Sequence, residues 1–129
     1  MVLVTGGAGF IGSNFVLRWM ATRDEPLVVV DKLTYAGRRD RLNAVMHDPR
    51  LRFVQADVGE THTILALLEA HQPRAIVHLA AETHVDRSIA GPGEFVRTNV
   101  VGTFGLLEAI RIYLDKRGAT EQSAFRYLH

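Results

Sequence analysis

Three glycines at even spacing, Gly6, Gly9 and Gly12, stand directly after a short apolar run, Val2-Leu3-Val4, and before an amphipathic stretch. A run apolar at every position is the pattern of a strand buried on both faces. The glycines therefore mark a strand turning into a helix, and few architectures ask for that. Gly6 lets the chain turn sharply off the strand, Gly9 lets backbone N–H groups approach a pyrophosphate, and Gly12 lets the helix press against the sheet. The helix N-terminus adds unpaired N–H donors and partial positive charge. Such a turn also occurs as geometry alone, so a second feature has to choose.

Asp31 supplies it. Leu27-Val28-Val29-Val30 reads as a second buried strand, closed by Asp31. Its distance from the glycines is close to the interval of about 20 residues at which an acid meets an adenosine ribose. A carboxylate there accepts from ribose hydroxyls and repels a 2′-phosphate. This favours NAD over NADP, with Lys32, Arg38 and Arg39 nearby as the counterweight.

The chain of 129 residues is one domain at most, with enough length for a real core. Its 47% hydrophobic and 22% charged residues are those of an ordinary soluble globule. A net charge of +1 gives no broad basic field, so neither nucleic acid nor a membrane is expected as a partner. There is no cysteine, no charged leader and no apolar run long enough to span a bilayer, which fits a cytoplasmic protein.

Periodicity places the remaining elements. Ile11, Phe15 and Trp19, joined by Val16 and Met20, form the inward face of the first helix, and Ser13 reads as a first-turn cap. A loop over 32–37 is long enough to wrap an adenosine, and a short polar helix follows over 38–47. Strands are expected over 51–56, 75–79 and 125–128. A helix over 60–70 buries Ile64, Leu67 and Leu68, and a polar loop covers 81–93. The longest helix, 94–114, carries one apolar stripe of Val96, Val100, Thr103, Leu107, Ile110 and Leu114. Phe95, Val101, Phe104, Leu106 and Tyr113 fall outside it, so this helix is buried on more than one face. Gly102 and Gly105 point to a close approach there. The alternation predicts an α/β fold: a doubly wound parallel sheet of Rossmann type, strand order 3-2-1-4-5. It is expected to be incomplete, a single NAD-binding domain over 1–129 that stops at strand five with no substrate domain. An uncovered edge and an exposed apolar helix face then predict self-association or partial folding of the chain alone.

Strands one and four flank the expected switch point, which brings Leu79, Ala80, Ala81, Glu82, Thr83 and His84 to the site. Asp86 and Arg87 read as an ion pair or loop brace. The six histidines have no metal-ligand spacing, so no metal is expected. No Gly-x-Ser-x-Gly elbow or phosphate-loop Gly-Lys-Ser/Thr occurs.

The segment Thr5-Gly-Gly-Ala-Gly-Phe-Ile-Gly-Ser13 resembles the start of the extended short-chain dehydrogenase/reductase family. Asp31-Lys-Leu-Thr-Tyr-Ala-Gly37 and Leu79-Ala-Ala-Glu-Thr-His-Val-Asp-Arg-Ser-Ile89 are more discriminating, and resemble its nucleotide-sugar 4,6-dehydratases. The resemblance implies that backbone at Phe10 and Ile11 meets the NAD pyrophosphate. Asp31, Lys32, Leu33 and Thr34 would hold the adenosine ribose, and Asp57 and Val58 would border the adenine. Leu79, Ala80, Ala81, Glu82 and Thr83 would run along the nicotinamide half, with Thr98 also on the cofactor. Thr83 stands where such enzymes usually have serine, and would also touch the sugar. The implied substrate is dTDP-glucose or a related nucleotide sugar, and the implied assembly a homodimer through the long helix. The implied reaction is an internal redox cycle: hydride leaves sugar C4, water is eliminated from C5 and C6, and the hydride returns to C6. The family's tyrosine–lysine pair follows strand five, so no catalytic residue is assigned here. Tyr113, with Lys116 and Arg117 after it, reads instead as an exposed helix end. A sister epimerase, decarboxylase or reductase, and a non-catalytic NAD-binding module, stay open as alternatives.

Overall fold

In the computed structural model the backbone is described from Met1 to His129, and every side chain except those of Arg87, Ser88 and Ala90. The apolar runs pair as five parallel strands, β1 (Val2–Thr5), β2 (Leu27–Asp31), β3 (Leu51–Gln55), β4 (Ala75–His78) and β5 (Arg126–Leu128). Their order is β3-β2-β1-β4-β5, as expected. Leu3 lies beside Val28 on one side and Ile76 on the other. Side chains alternate between faces along a strand, and this splits the interior in two. Leu3, Val28, Val30 and Ile76 face α2 (Thr61–His71) and the long helix, whereas Val2, Val4, Val29 and Val77 face α1 (Phe10–Thr22). Each fully buried aliphatic side chain stabilises by about 1.5–3 kcal/mol, so a strand apolar on both faces is what three layers require.

The first helix begins earlier than expected. It starts at Phe10 with Gly9 as its N-cap residue, so Gly12 lies inside the first turn. Ser13 does not cap: its hydroxyl donates back to the Phe10 carbonyl at 3.2 Å. Val16 and Met20 are buried, Phe15 and Trp19 pack beside them, and Ile11 is 69% exposed rather than inward. The polar helix over 38–47 is only a 3-10 turn, Arg39–Leu42. The segment read as a loop over 81–93 holds two short helices, α3 (Val85–Ala90) and α4 (Pro92–Phe95). A further helix absent from the sequence reading, α6 (Ala119–Ala124), precedes β5. In α2, Ile64 and Leu68 are buried while Leu67 is only partly so.

The long helix departs furthest from its expected face. From α4 it continues as a π-helical segment, Val96–Gly102, and then as α5 (Thr103–Asp115). Its inward residues are Gly102, Gly105, Leu106, Ala109, Ile110 and Tyr113, whereas Val96, Val100 and Leu107 of the expected stripe are exposed. The widened turn of the π segment carries the residues before it out of line with those after it. The two glycines then decide which face goes in. A Cβ on Gly105 would stand 2.7 Å from the Gly59 carbonyl oxygen, so α5 lies directly against the chain entering α2.

Candidate functional site

Thr5 lies between Val30 and His78 in the sheet, and the loops leaving β1, β2, β3 and β4 line an open cleft. The glycine turn forms its floor. Gly6 adopts φ +69° and donates its N–H to the Val30 carbonyl at 2.8 Å. A Cβ there would stand 2.5 Å from the Ala80 nitrogen, so the turn and the loop after β4 pass in contact. Gly12 serves a different neighbour from the one expected. Its Cβ would overlap the Gly6 carbonyl oxygen, so the helix presses on the turn rather than on the sheet. At Gly9 an added Cβ meets only that same oxygen, at 3.2 Å, and the cleft side stays clear.

Asp31 ties this floor to the next wall. It is 8% exposed; Oδ2 accepts the Ala8 N–H at 2.9 Å and Oδ1 the Leu33 N–H at 2.8 Å. Each oxygen keeps a lone pair for a ligand hydroxyl. The cations that counted against NAD are engaged. Lys32 Nζ sits 3.2 Å from Asp57 Oδ2, Arg38 pairs with Asp40, and the Arg39 guanidinium lies 5.1 Å over the Phe53 ring. Asp57 also accepts the Gly59 N–H at 2.9 Å, which closes the turn below Val58. On the opposite wall, the Asn99 side chain holds the backbone of Glu82 with two reciprocal hydrogen bonds of 2.8 Å. Thr98 lines the cleft beside it, and its buried hydroxyl has no partner among the described residues. An orphaned hydroxyl, a carboxylate with free lone pairs and a glycine clear of obstruction fit a dinucleotide.

Of the expected residues, Gly6, Gly9, Asp31, Lys32, Thr34, Asp57, Val58, Leu79, Ala80, Ala81, Glu82 and Thr98 line this cleft. Phe10, Ile11, Gly12, Leu33 and Thr83 do not. Phe10 and Ile11 stand exposed in the first turn of α1, where N–H groups have no intrahelical acceptor. Leu33 is held at φ +58°, and Thr83 is exposed on the far loop. Ala36, Gly37 and Ala56 also line the cleft and were missed. Gly37 carried a signal: a Cβ there would stand 2.6 Å from Asp31 Oδ1. The expected Asp86–Arg87 pair lies outside the described residues. Among the described residues no group of three acids or histidines is placed to hold a metal, and no helix is long and apolar enough to cross a membrane. Tyr113 is not an exposed helix end: it is 2% exposed, with the Arg117 guanidinium 3.5 Å above its ring.

Sequence reasoning also passed over His78. Buried at the end of β4, its Nδ1 is 2.6 Å from Thr5 Oγ1 and its Nε2 3.1 Å from Thr103 Oγ1. Thr5 Oγ1 also accepts the Ala80 N–H at 3.4 Å, so the imidazole and the two threonine hydroxyls link β1, β4 and α5. Burial, with the nearby His129 second, lowers the His78 pKa to about 4. The unfolded chain takes up this proton first on acidification, so the stability this residue contributes is complete above pH 6.5. It is expected to be lost as pH falls from 6.5 towards 4, on the order of 3 kcal/mol. Urea midpoints in that window check it: His78→Gln should flatten the slope, and equal slopes would refute the assignment.

The sequence model of the family described as GDP-mannose 4,6 dehydratase matches residues 3–129. The dTDP-glucose 4,6-dehydratase of Xanthomonas campestris pv. campestris is 50% identical over 127 residues, 98% of this chain and 36% of that protein. That of Escherichia coli is 47% identical over 128 residues, again with 36% of its length covered. The chain thus spans about a third of the curated relatives it matches. DesIV, the dTDP-glucose 4,6-dehydratase of Streptomyces venezuelae crystallised with NAD, superposes with TM-score 0.84 at 44% identity, covering 99% of this chain and 38% of that one. The match runs through the glycine turn, the acid that ends β2 and the loop after β4, and by it this chain belongs to the GDP-mannose 4,6 dehydratase family.

Proposed function

We propose that this chain is the NAD-binding portion of a lyase that dehydrates dTDP-glucose to dTDP-4-keto-6-deoxyglucose. One observation carries the reading: the two segments that face each other across the cleft, 31–37 and 79–82, belong to the two most discriminating motifs. In this reading the amides of Phe10 and Ile11 hold the pyrophosphate, and Asp31 to Thr34 hold the adenosine ribose. Asp57 and Val58 border the adenine. Leu79 to Thr83, with Thr98, run along the nicotinamide half, and Thr83 reaches the sugar. The chemistry that bound NAD supplies there is acceptance and return of a hydride. In this reading the residues of this chain bind the cofactor and orient it.

The exposed apolar face of Val96, Val100, Phe104 and Leu107 supports a homodimer through the long helix. The same face, with β5 as a sheet edge, supports self-association of the isolated chain. Sedimentation of the full-length protein should give a dimer that Phe104→Glu dissociates, and a wild-type monomer would sink this part.

Incubation of the full-length protein with dTDP-glucose should give a product lighter by one water. A product of unchanged mass with inverted sugar stereochemistry would assign an epimerase instead, and NAD binding without turnover a non-catalytic module.

A further inference from the structure

One contact spans the mouth of the cleft between segments 47 positions apart. The Tyr35 hydroxyl, on the loop after β2, donates to Glu82 Oε2, on the loop after β4, at 2.8 Å. The two ends are anchored differently. Glu82 is the fixed post, its backbone N–H and carbonyl both held by Asn99. Tyr35 is the crown of a short arm. On one side the arm is tied down by Asp31 through the Leu33 N–H. On the other, Arg41 donates to the Ala36 carbonyl at 2.7 Å and to the Ala8 carbonyl at 3.1 Å. A second hollow, lined by Tyr35, Gly91, Glu94 and Phe95, shares Lys32, Thr34 and Glu82 with the first. The Tyr35–Glu82 contact therefore runs along the boundary between the two.

We infer that Tyr35 and Glu82 form a strap across the cleft, and that a dinucleotide enters or leaves only when this hydrogen bond opens. The inference rests on the dinucleotide reading of the cleft and adds a gating role for a tyrosine that does not line it. The physical basis is simple. Both walls that a dinucleotide must touch are joined across the mouth by this exposed hydrogen bond, with the Tyr35 and His84 rings edge-on at 6.3 Å beside it, and such exposed contacts break more readily than the part-buried hydrogen bonds that hold Leu33 and Glu82. Association and dissociation both require the open state, so its population multiplies both rates equally and leaves the equilibrium almost unchanged. Tyr35 in this view is a positioning residue and takes no part in the chemistry.

Stopped-flow binding of NAD to the full-length protein and to its Tyr35→Phe variant tests this. The association and dissociation rate constants should rise together by about fivefold or more, the size expected for loss of a hydrogen bond to a carboxylate, with Kd changed less than about twofold. A weaker Kd with unchanged association would show Tyr35 holding the ligand directly, and two unchanged rates would show no gate; either overturns the inference. Amide hydrogen exchange without ligand separates this from the cofactor reading. Tyr35→Phe should speed exchange both in 33–37 and, across the cleft, in 79–83. Unchanged exchange in 79–83 overturns the strap whatever binds. A wild-type protein that fails to bind NAD while showing the coupled exchange refutes the proposed cofactor and leaves the strap standing as a link between the two loops.

Discussion

Replacing Asp31 with alanine should weaken NAD binding by two to three orders of magnitude in the full-length protein, read by calorimetry. Two losses combine. The ribose hydroxyls lose an ionised acceptor, and a hydrogen bond to a charged group is worth about 1.5–3 kcal/mol. The Ala8 and Leu33 amides, now held at 2.9 and 2.8 Å, lose their acceptor in a nearly closed corner. Leaving a buried donor unpaired costs about 1–3 kcal/mol. Part of that cost falls on the free protein as well, so the affinity loss stays near 3–4 kcal/mol rather than the sum. Asp31→Asn separates the parts: it keeps acceptor oxygen for one amide but removes the charge, and should fall between. Affinity unchanged in the alanine variant would take away the physical basis of the cofactor assignment.

The largest stability effect is expected at Gly12. An alanine methyl there would overlap the Gly6 carbonyl oxygen and also come within 2.8 Å of Gly7 Cα, and both are backbone atoms that no side-chain rotation can move aside. Overpacking in a rigid place costs about 1–3 kcal/mol, and here relief requires lifting the N-terminal turn of α1 from the floor of the cleft. Gly12→Ala should therefore lower stability by about 3 kcal/mol by urea unfolding and abolish NAD binding. Gly9→Ala is the internal control. Its added Cβ meets only the Gly6 oxygen at 3.2 Å, so it should weaken the ligand far more than the fold. Equal stability of the Gly12 and Gly9 variants would contradict this division.

The expectations that held were those tied to chemistry at a single position. Gly6 had to turn, and it does so in the left-handed region. Asp31 had to close β2 beside the glycine turn, and its carboxylate grips that turn. The inward residues assigned wrongly on α1 and on the long helix turned on a choice between faces. Along the long helix, apolar residues occur nearly all round, so a spacing of three and four fits several stripes equally well. Val96, Val100 and Leu107 matched it and face outward, whereas the inward face is marked by small residues, Gly102, Gly105 and Ala109. Close approach of Gly59 selected that face, and contact between segments so distant leaves no trace in local periodicity. Ile11 failed for the same reason, being one turn too near the open end of α1 to reach the sheet.

By itself, then, the sequence determined the parallel sheet, its strand order, the glycine turn and the acid beside it. Each follows from local rules, the burial of an apolar run and the freedom of a residue without Cβ. Tertiary structure alone decided which face of the long helix lies inward and that Asn99 holds the backbone of Glu82. It also joined His78 to Thr5 and Thr103 behind the sheet, and Tyr35 to Glu82 across the mouth. These are hydrogen bonds and steric fits between distant parts of the chain, and they take effect only once the sheet has brought those parts to ångström separation.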